Sequence, residues 1–187
     1  MSEAENKPFI VAYHGSSYDF DKFDLDRDTV TPRGGFCFWD SKTNEEWNKF
    51  DISSLEQKPG ETENGVLYQV RIHADPGKFL DMDKSYGDQP EAVKKFVAQA
   101  NKSDVTPNYP MEILARSILR DHMRSGSDLE ALAKKLRSNG VPGLTGLLPN
   151  VEPGDDVRKW IVFDPNIIQI THKDGVPVHP ERGNAMK

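Results

Sequence analysis

The stretch Phe9-Ile-Val-Ala-Tyr-His14-Gly15-Ser16, followed after a polar spacer by Gly34-Gly35-Phe36-Cys37-Phe38-Trp39-Asp40, decides how this chain is read. Residues 9–14 are apolar and β-prone, which predicts a strand in the sheet interior ending in a histidine and a glycine. Residues 35–39 predict a second strand, reached through a glycine pair. It is expected to be buried on both faces, because nothing alternates with polar residues before Asp40. Two neighbouring strands that present His14, Gly15 and Ser16 at their ends make a polar notch in an apolar sheet, a common form of small-molecule site. Gly15 lets a ligand come close to the backbone and Ser16 adds a hydroxyl. Trp39 and Trp47 supply aromatic planes nearby in sequence. Such parts suit a ligand with a flat ring, an amide and ribose hydroxyls.

Each of these residues also has a plainer reading. His14 taken alone is a core histidine satisfied by backbone, and Gly34-Gly35 taken alone is a turn. Cys37 reads as a small buried hydrophobe rather than a reactive thiol. His73, His122, His172 and His179 lack metal-ligand spacing and are assigned no role, so no metal is expected.

Length and composition bound the answer. The 187 residues predict one domain over 1–174 with a helical insertion, followed by a disordered tail over 175–187. A formal net charge of -6 argues against a general nucleic-acid binder, because phosphate contacts need clustered Lys and Arg. No apolar run has the length of a membrane span, and the charged start Met1-Ser-Glu-Ala-Glu-Asn-Lys lacks the apolar segment of a secretory signal. Cys37 is the single cysteine, which excludes an intrachain disulfide. The expected location is cytoplasmic, of the producing cell or, for a delivered effector, of the host cell.

Along the chain, Ser41 is a plausible N-cap for a short helix through Glu45, Glu46 and Trp47. Residues 52–65 read as a mobile loop. Residues 66–72 predict a strand, and Lys78-Phe79-Leu80-Asp81 a short one. Three helices are expected between residues 90 and 140. Their apolar stripes are Val93, Phe96, Val97 and Ala100; then Ile113, Leu114, Ser117, Ile118 and His122; then Leu129, Leu132, Ala133 and Leu136. Ser127 and Glu130 form a capping box for the third, and Gly140 ends it. After a Pro-, Gly- and acid-rich loop from Pro149 to Asp156, a last long strand covers 159–163, and Pro165 breaks it before Ile167-Ile168-Gln-Ile170.

The ordered set of motifs resembles the ADP-ribosyltransferase superfamily, and within it the small phage and bacterial members of the histidine-first, poly(ADP-ribose)-polymerase-like branch. Tyr13-His14-Gly15-Ser16 matches the aromatic-His-Gly-Ser/Thr strand of that branch. Gly34-Gly35-Phe36-Cys37-Phe38-Trp39-Asp40 matches its Gly-Gly-apolar-Tyr-Phe-x-Asp motif, with Cys37 in place of the tyrosine. Trp160-Ile161-Val162-Phe163-Asp164-Pro165 is similar to the closing strand, Tyr68 to Ile72 with Phe79-Leu80-Asp81 to the central pair, and Leu136 to Gly146 to the helix-turn that leads into the closing sheet.

The resemblance implies an α+β fold with a split, mostly antiparallel sheet. It also implies an enzyme, a mono-ADP-ribosyltransferase that moves ADP-ribose from NAD, as co-substrate, to a protein acceptor with release of nicotinamide. A degenerate binding module on the same fold, or an NAD glycohydrolase, is the alternative. On this reading His14 hydrogen-bonds a ribose hydroxyl, the Gly15 backbone holds the carboxamide, and Ser16, Cys37, Phe38 and Trp47 line the cofactor site. Trp47 is the first choice for stacking on the nicotinamide ring, with Trp39 or Phe38 next. Where the family carries an acid before the closing strand, this chain has Arg158-Lys159, a reversal of charge. The carboxylate is therefore expected from the preceding loop, with Asp156 first, Asp155 second and Glu152 third.

Overall fold

Alternation along one strand sets the sheet. In Val66–Ile72 the side chains of Tyr68, Val70 and Ile72 are fully buried, whereas Gln69 is half-buried and Arg71 exposed between them. The computed structural model describes residues 8–24, 36–40, 65–100, 104–124, 129–147 and 157–178, with the backbone alone for 119, 122–124, 129 and 130. Among these residues the protein is α+β, with eight strands in one sheet and three α-helices. The strands are β1 (Ile10–Ser16), β2 (Phe36–Trp39), β3 (Val66–Ile72), β4 (Leu80–Asp81), β5 (Gly143–Leu147), β6 (Arg158–Val162), β7 (Ile168–Lys173) and β8 (Val176–Pro177). The helices α1 (Glu91–Gln99), α2 (Met111–Arg124) and α3 (Leu129–Ser138) lie between β4 and β5 in sequence. The sheet order is β4-β5-β6-β2-β1-β3-β7-β8. Every neighbouring pair is antiparallel except β4 with β5. The mostly antiparallel sheet and the central place of β1 agree with the sequence.

The helices form where the periodicity predicts them. Val93, Phe96 and Val97 of α1, Met111, Leu114 and Ile118 of α2, and Ala133 and Leu136 of α3 are buried, each set on one face with steps of three or four residues, or of one residue beside a step of three. They pack against Leu80, Val141, Ile161 and Phe163. Helix α3 ends in a Schellman motif. Gly140 has φ +81, its N–H donates to the Arg137 carbonyl, and the Val141 N–H donates to the Leu136 carbonyl. Ile113 leaves the expected stripe, being 52% exposed, because Met111, Leu114 and Ile118 already occupy the inner face of α2.

The opposite face of the sheet is aromatic, with Phe36, Phe38, Tyr68, Phe79 and Trp160 covered in part by Phe20 and Phe23. Two burial expectations are corrected here. Strand β1 does alternate: Ile10 and Ala12 are buried, while Phe9 and Val11 are exposed. In β2, Phe36 and Phe38 are buried but Cys37 and Trp39 only half-buried, so that strand is not closed on both faces. Among the described residues the helices pack on Leu80 of β4, Leu144 of β5 and Ile161 of β6, whereas Val11 of β1 is exposed.

The chain beyond residue 174 is also corrected in part. Asp174 and Gly175 have φ values of 47 and 79, which suits a two-residue hairpin turn, and β8 pairs with β7 through Lys173 and Val176. The Val178 N–H then donates to the Thr171 carbonyl, so pairing continues to that residue. The expected cap at Ser41, the helix around Trp47, the 52–65 loop except its last residue, the Ser127–Glu130 capping box, the loop to Asp156 and the tail from His179 lie outside the described residues or side chains. Among the described residues no helix is long and apolar enough to cross a membrane.

Candidate functional site

Among the described residues the sheet has its fewest paired positions at its centre. Strands β1 and β2 pair at Tyr13 and Trp39, and beyond that rung, toward Ser16 and Phe36, no further pair joins them. A side chain takes over there. His14 Nδ1 lies 2.7 Å from the carbonyl oxygen of Cys37, which bridges the parting strands. A carbonyl only accepts, so Nδ1 carries the proton, and in the neutral ring Nε2 is left as the acceptor. Burial pushes the His14 pKa below its ordinary value, against the weaker opposing effect of the Cys37 hydrogen bond. The ring is therefore held neutral and in one tautomer.

Residues directly opposed on neighbouring strands share a face, so the registers place His14 in a row that crosses the sheet. It opposes Tyr68 of β3, which opposes Lys173 of β7; on the other side Phe38 opposes Trp160, which opposes Thr145, and Thr145 opposes Asp81. Around His14 the rings of Phe23, Phe38, Tyr68 and Phe20 have centroids at 5.2, 5.6, 6.3 and 6.4 Å. Further along the row, Trp160 packs at 4.9 Å against Phe79 in a T-shaped contact.

The chain that leaves β1 folds back as a strap over this row. Ser16 is buried and its Oγ accepts from the Tyr18 N–H at 3.0 Å, a local turn. The Tyr68 hydroxyl holds the next residues: it accepts from the Phe20 N–H at 2.8 Å and donates toward the Tyr18 carbonyl at 3.0 Å and Asp19 Oδ1 at 3.2 Å. Phe20 stacks on Tyr68 at 4.4 Å with a 14° interplanar angle. From the far side, Lys173 Nζ reaches Asp19 at 2.7 Å and Asp21 at 2.9 Å. Burial pushes the Tyr68 hydroxyl up to about 12. Burial pulls the Lys173 ammonium down, but its bonds to Asp19 and Asp21 outweigh that and raise it to about 12. The bond from Lys173 lowers the Asp19 carboxyl.

The charge reversal at Arg158-Lys159 has a structural account. Arg158 Nη1 sits 3.3 Å from Asp81 and 3.6 Å from Asp83, and Asp40 Oδ1 accepts from the Arg158 backbone N–H at 2.9 Å. Lys159 points to the other face, with Nζ 4.7 Å from the centroid of the Trp39 ring that opposes it. Both cations thus face partners that the residues of β2 and of the segment at β4 provide.

Of the site residues expected from sequence, the fold brings together His14, Gly15, Ser16, Phe38 and the backbone of Cys37. The Cys37 side chain turns to the helix-covered face and packs there, because neighbours on a strand point opposite ways, so only its carbonyl belongs to the notch. Ser16 spends its hydroxyl on the strap. Trp39 lies on the face away from His14. Trp47, Glu152, Asp155 and Asp156 lie outside the described residues. Tyr68, Asp19, Lys173, Phe20 and Phe23 were missed. A buried tyrosine requires a partner for its hydroxyl, and that signal was present in the Val66–Ile72 alternation. Among the described residues no group of three or more His, Cys, Asp or Glu is arranged to hold a metal ion. Set against known proteins, the chain matches no family model, no curated protein and no solved structure.

Proposed function

We propose that the protein is a mono-ADP-ribosyltransferase on an ADP-ribosyltransferase-like fold, using NAD as co-substrate and a protein as acceptor. The observation that carries this reading is the parting of β1 and β2 beyond Tyr13 and Trp39, with a neutral His14 fixed across the gap. The two strands that part here carry the first two motifs of the resemblance. His14 Nε2 accepts from a ribose hydroxyl, the Gly15 backbone meets the carboxamide, and an aromatic ring stacks on nicotinamide, with Trp47 the first choice. As the glycosidic bond breaks, positive charge develops on the ribose, and a carboxylate facing it lowers the barrier. Asp156, then Asp155, supplies it from the loop before β6.

The test is NAD binding and intact-mass analysis of candidate acceptors. His14→Ala should weaken NAD and abolish transfer with the fold retained. Asp156→Asn should keep NAD binding and lose roughly 100- to 1,000-fold in turnover. Full transfer by His14→Ala sinks the site assignment.

A second reading has its own observation. Lys159 occupies the family acid's register and is engaged with Trp39, which suits a degenerate module that binds without catalysis. NAD binding by the parent protein without transfer to any acceptor selects it.

A further inference from the structure

We propose that Lys173 is a positioning residue for His14: from β7 it latches the strap of residues 17–24 over the histidine and keeps the ring a hydrogen-bond acceptor for the ribose. The inference rests on the NAD reading above for its ligand, and on the strap geometry for everything else.

A strand irregularity directs Lys173 at this site. Along β7, Ile168 opposes Ile72 and Ile170 opposes Val70, but the register then shifts, and His172 opposes Gln69 while Lys173 opposes Tyr68. One extra residue, Thr171, is accommodated, its Oγ1 donating to the Gln69 carbonyl at 3.0 Å. Without that bulge Lys173 falls on the opposite face, because side chains alternate with a period of two. With it, Lys173 joins the row of Tyr68 and His14. Bulges commonly serve to re-aim a side chain beside a site.

Once there, Lys173 touches the strap rather than the histidine. Its Nζ meets Asp19 and Asp21 and lies 5.8 Å from the Tyr68 ring centroid. Asp19 also receives the Tyr68 hydroxyl, so one carboxylate joins β3, β7 and the strap. The next residue, Phe20, and Phe23 are the rings that cover His14 from the strap side. The titratable and charged groups on the elements packed against His14 are Tyr68 from β3, Asp19, Asp21, Lys22 and Asp24 from the strap, and Lys173 from β7, whereas the Cys37 thiol lies on the other face. Removing the lysine charge acts twice in one direction. Water enters where the strap loosens, and the Asp19 carboxylate loses its cation; both favour the imidazolium. A protonated ring donates from both nitrogens and no longer accepts from a hydroxyl.

The experiment follows three readouts in the full chain and in Lys173→Met, with Lys173→Arg as the charge-keeping control. Amide hydrogen exchange over residues 17–24 should quicken roughly 1.5- to fivefold in Lys173→Met, the scale of a surface ion pair. The His14 ring, followed by NMR, should titrate at higher pH than in the parent. NAD affinity falls about tenfold for each pH unit below the histidine pKa, so the onset of that fall should move to higher pH. Lys173→Arg should restore all three. Unchanged exchange together with an unchanged His14 titration overturns the latch. Failure of the parent to bind NAD overturns the functional reading, and with it the ligand named here, while exchange and titration still decide the latch. If Lys173→Met does not fold, Lys173→Gln takes its place under the same criteria.

Discussion

The two faces of the sheet are built by different means. The helix-covered face is mostly aliphatic, with Val93, Val97, Leu114, Ile118, Leu136 and Val141 contributed by one stretch of chain between β4 and β6. The other face is aromatic and is assembled from segments far apart, with Lys173 and Asp19 separated by 154 positions. The helical face is held mainly by apolar burial, and a change there costs stability without touching the row that carries His14. The aromatic face combines burial with hydrogen bonds that orient a titratable ring, and a change there reaches both.

This division is open to test, beginning with the largest effect. Leu136→Ala on the helical face should cost about 2–5 kcal/mol of unfolding free energy, read by urea denaturation, with NAD affinity of the folded protein unchanged. An altered NAD affinity in that variant breaks the division. Tyr68→Phe should cost less, about 1–3 kcal/mol, because it leaves the buried Phe20 N–H without its acceptor. It should nonetheless weaken NAD, since Phe20 covers His14. Equal NAD binding by parent and Tyr68→Phe separates the strap from the site.

The smallest effect is the pH dependence of stability. His14 has a lowered pKa in the folded state, so below about pH 6.5 the unfolded chain takes up a proton that the folded one refuses. The contribution is complete above that pH and is lost as pH falls toward the folded value, with a slope of at most about 1.4 kcal/mol per pH unit. Comparing the parent with His14→Gln by denaturation between about pH 5 and 7.5 isolates it. A parent and variant with parallel profiles show that the ring is not held neutral.

The helices were legible because their signals are local. Val93, Phe96 and Val97 repeat at the helical period, and Gly140 carries its own stop signal, so each follows from residues within a turn or two. The strand pair carrying His14 was legible for the same reason, since its composition and its glycines are contiguous. Burial was less so. An apolar run such as 9–14 does not record which of its faces has a neighbour, and Val11 is exposed while the helices pack on Leu80, Leu144 and Ile161 instead. The Asp174-Gly175 hairpin was also within reach, because that dipeptide supplies the positive φ a tight turn needs. It was hidden because a strand as short as Val176–Pro177 leaves no periodic pattern to read.

The sequence by itself determined the three helices, strands β1, β2, β3 and β6, the α+β class and the run of His14, Gly15 and Ser16 on one strand. Those follow from local periodicity and from backbone freedom at single residues. Only the tertiary structure decided how the notch is made. It sent the Cys37 side chain to one face and its carbonyl to His14, matched Arg158 with Asp81 and Asp83, and used the bulge at Thr171 to bring Lys173 above Tyr68. The reason is register. A one-residue shift between strands reverses which face every later side chain meets, and register is fixed by contacts between segments that no local window contains.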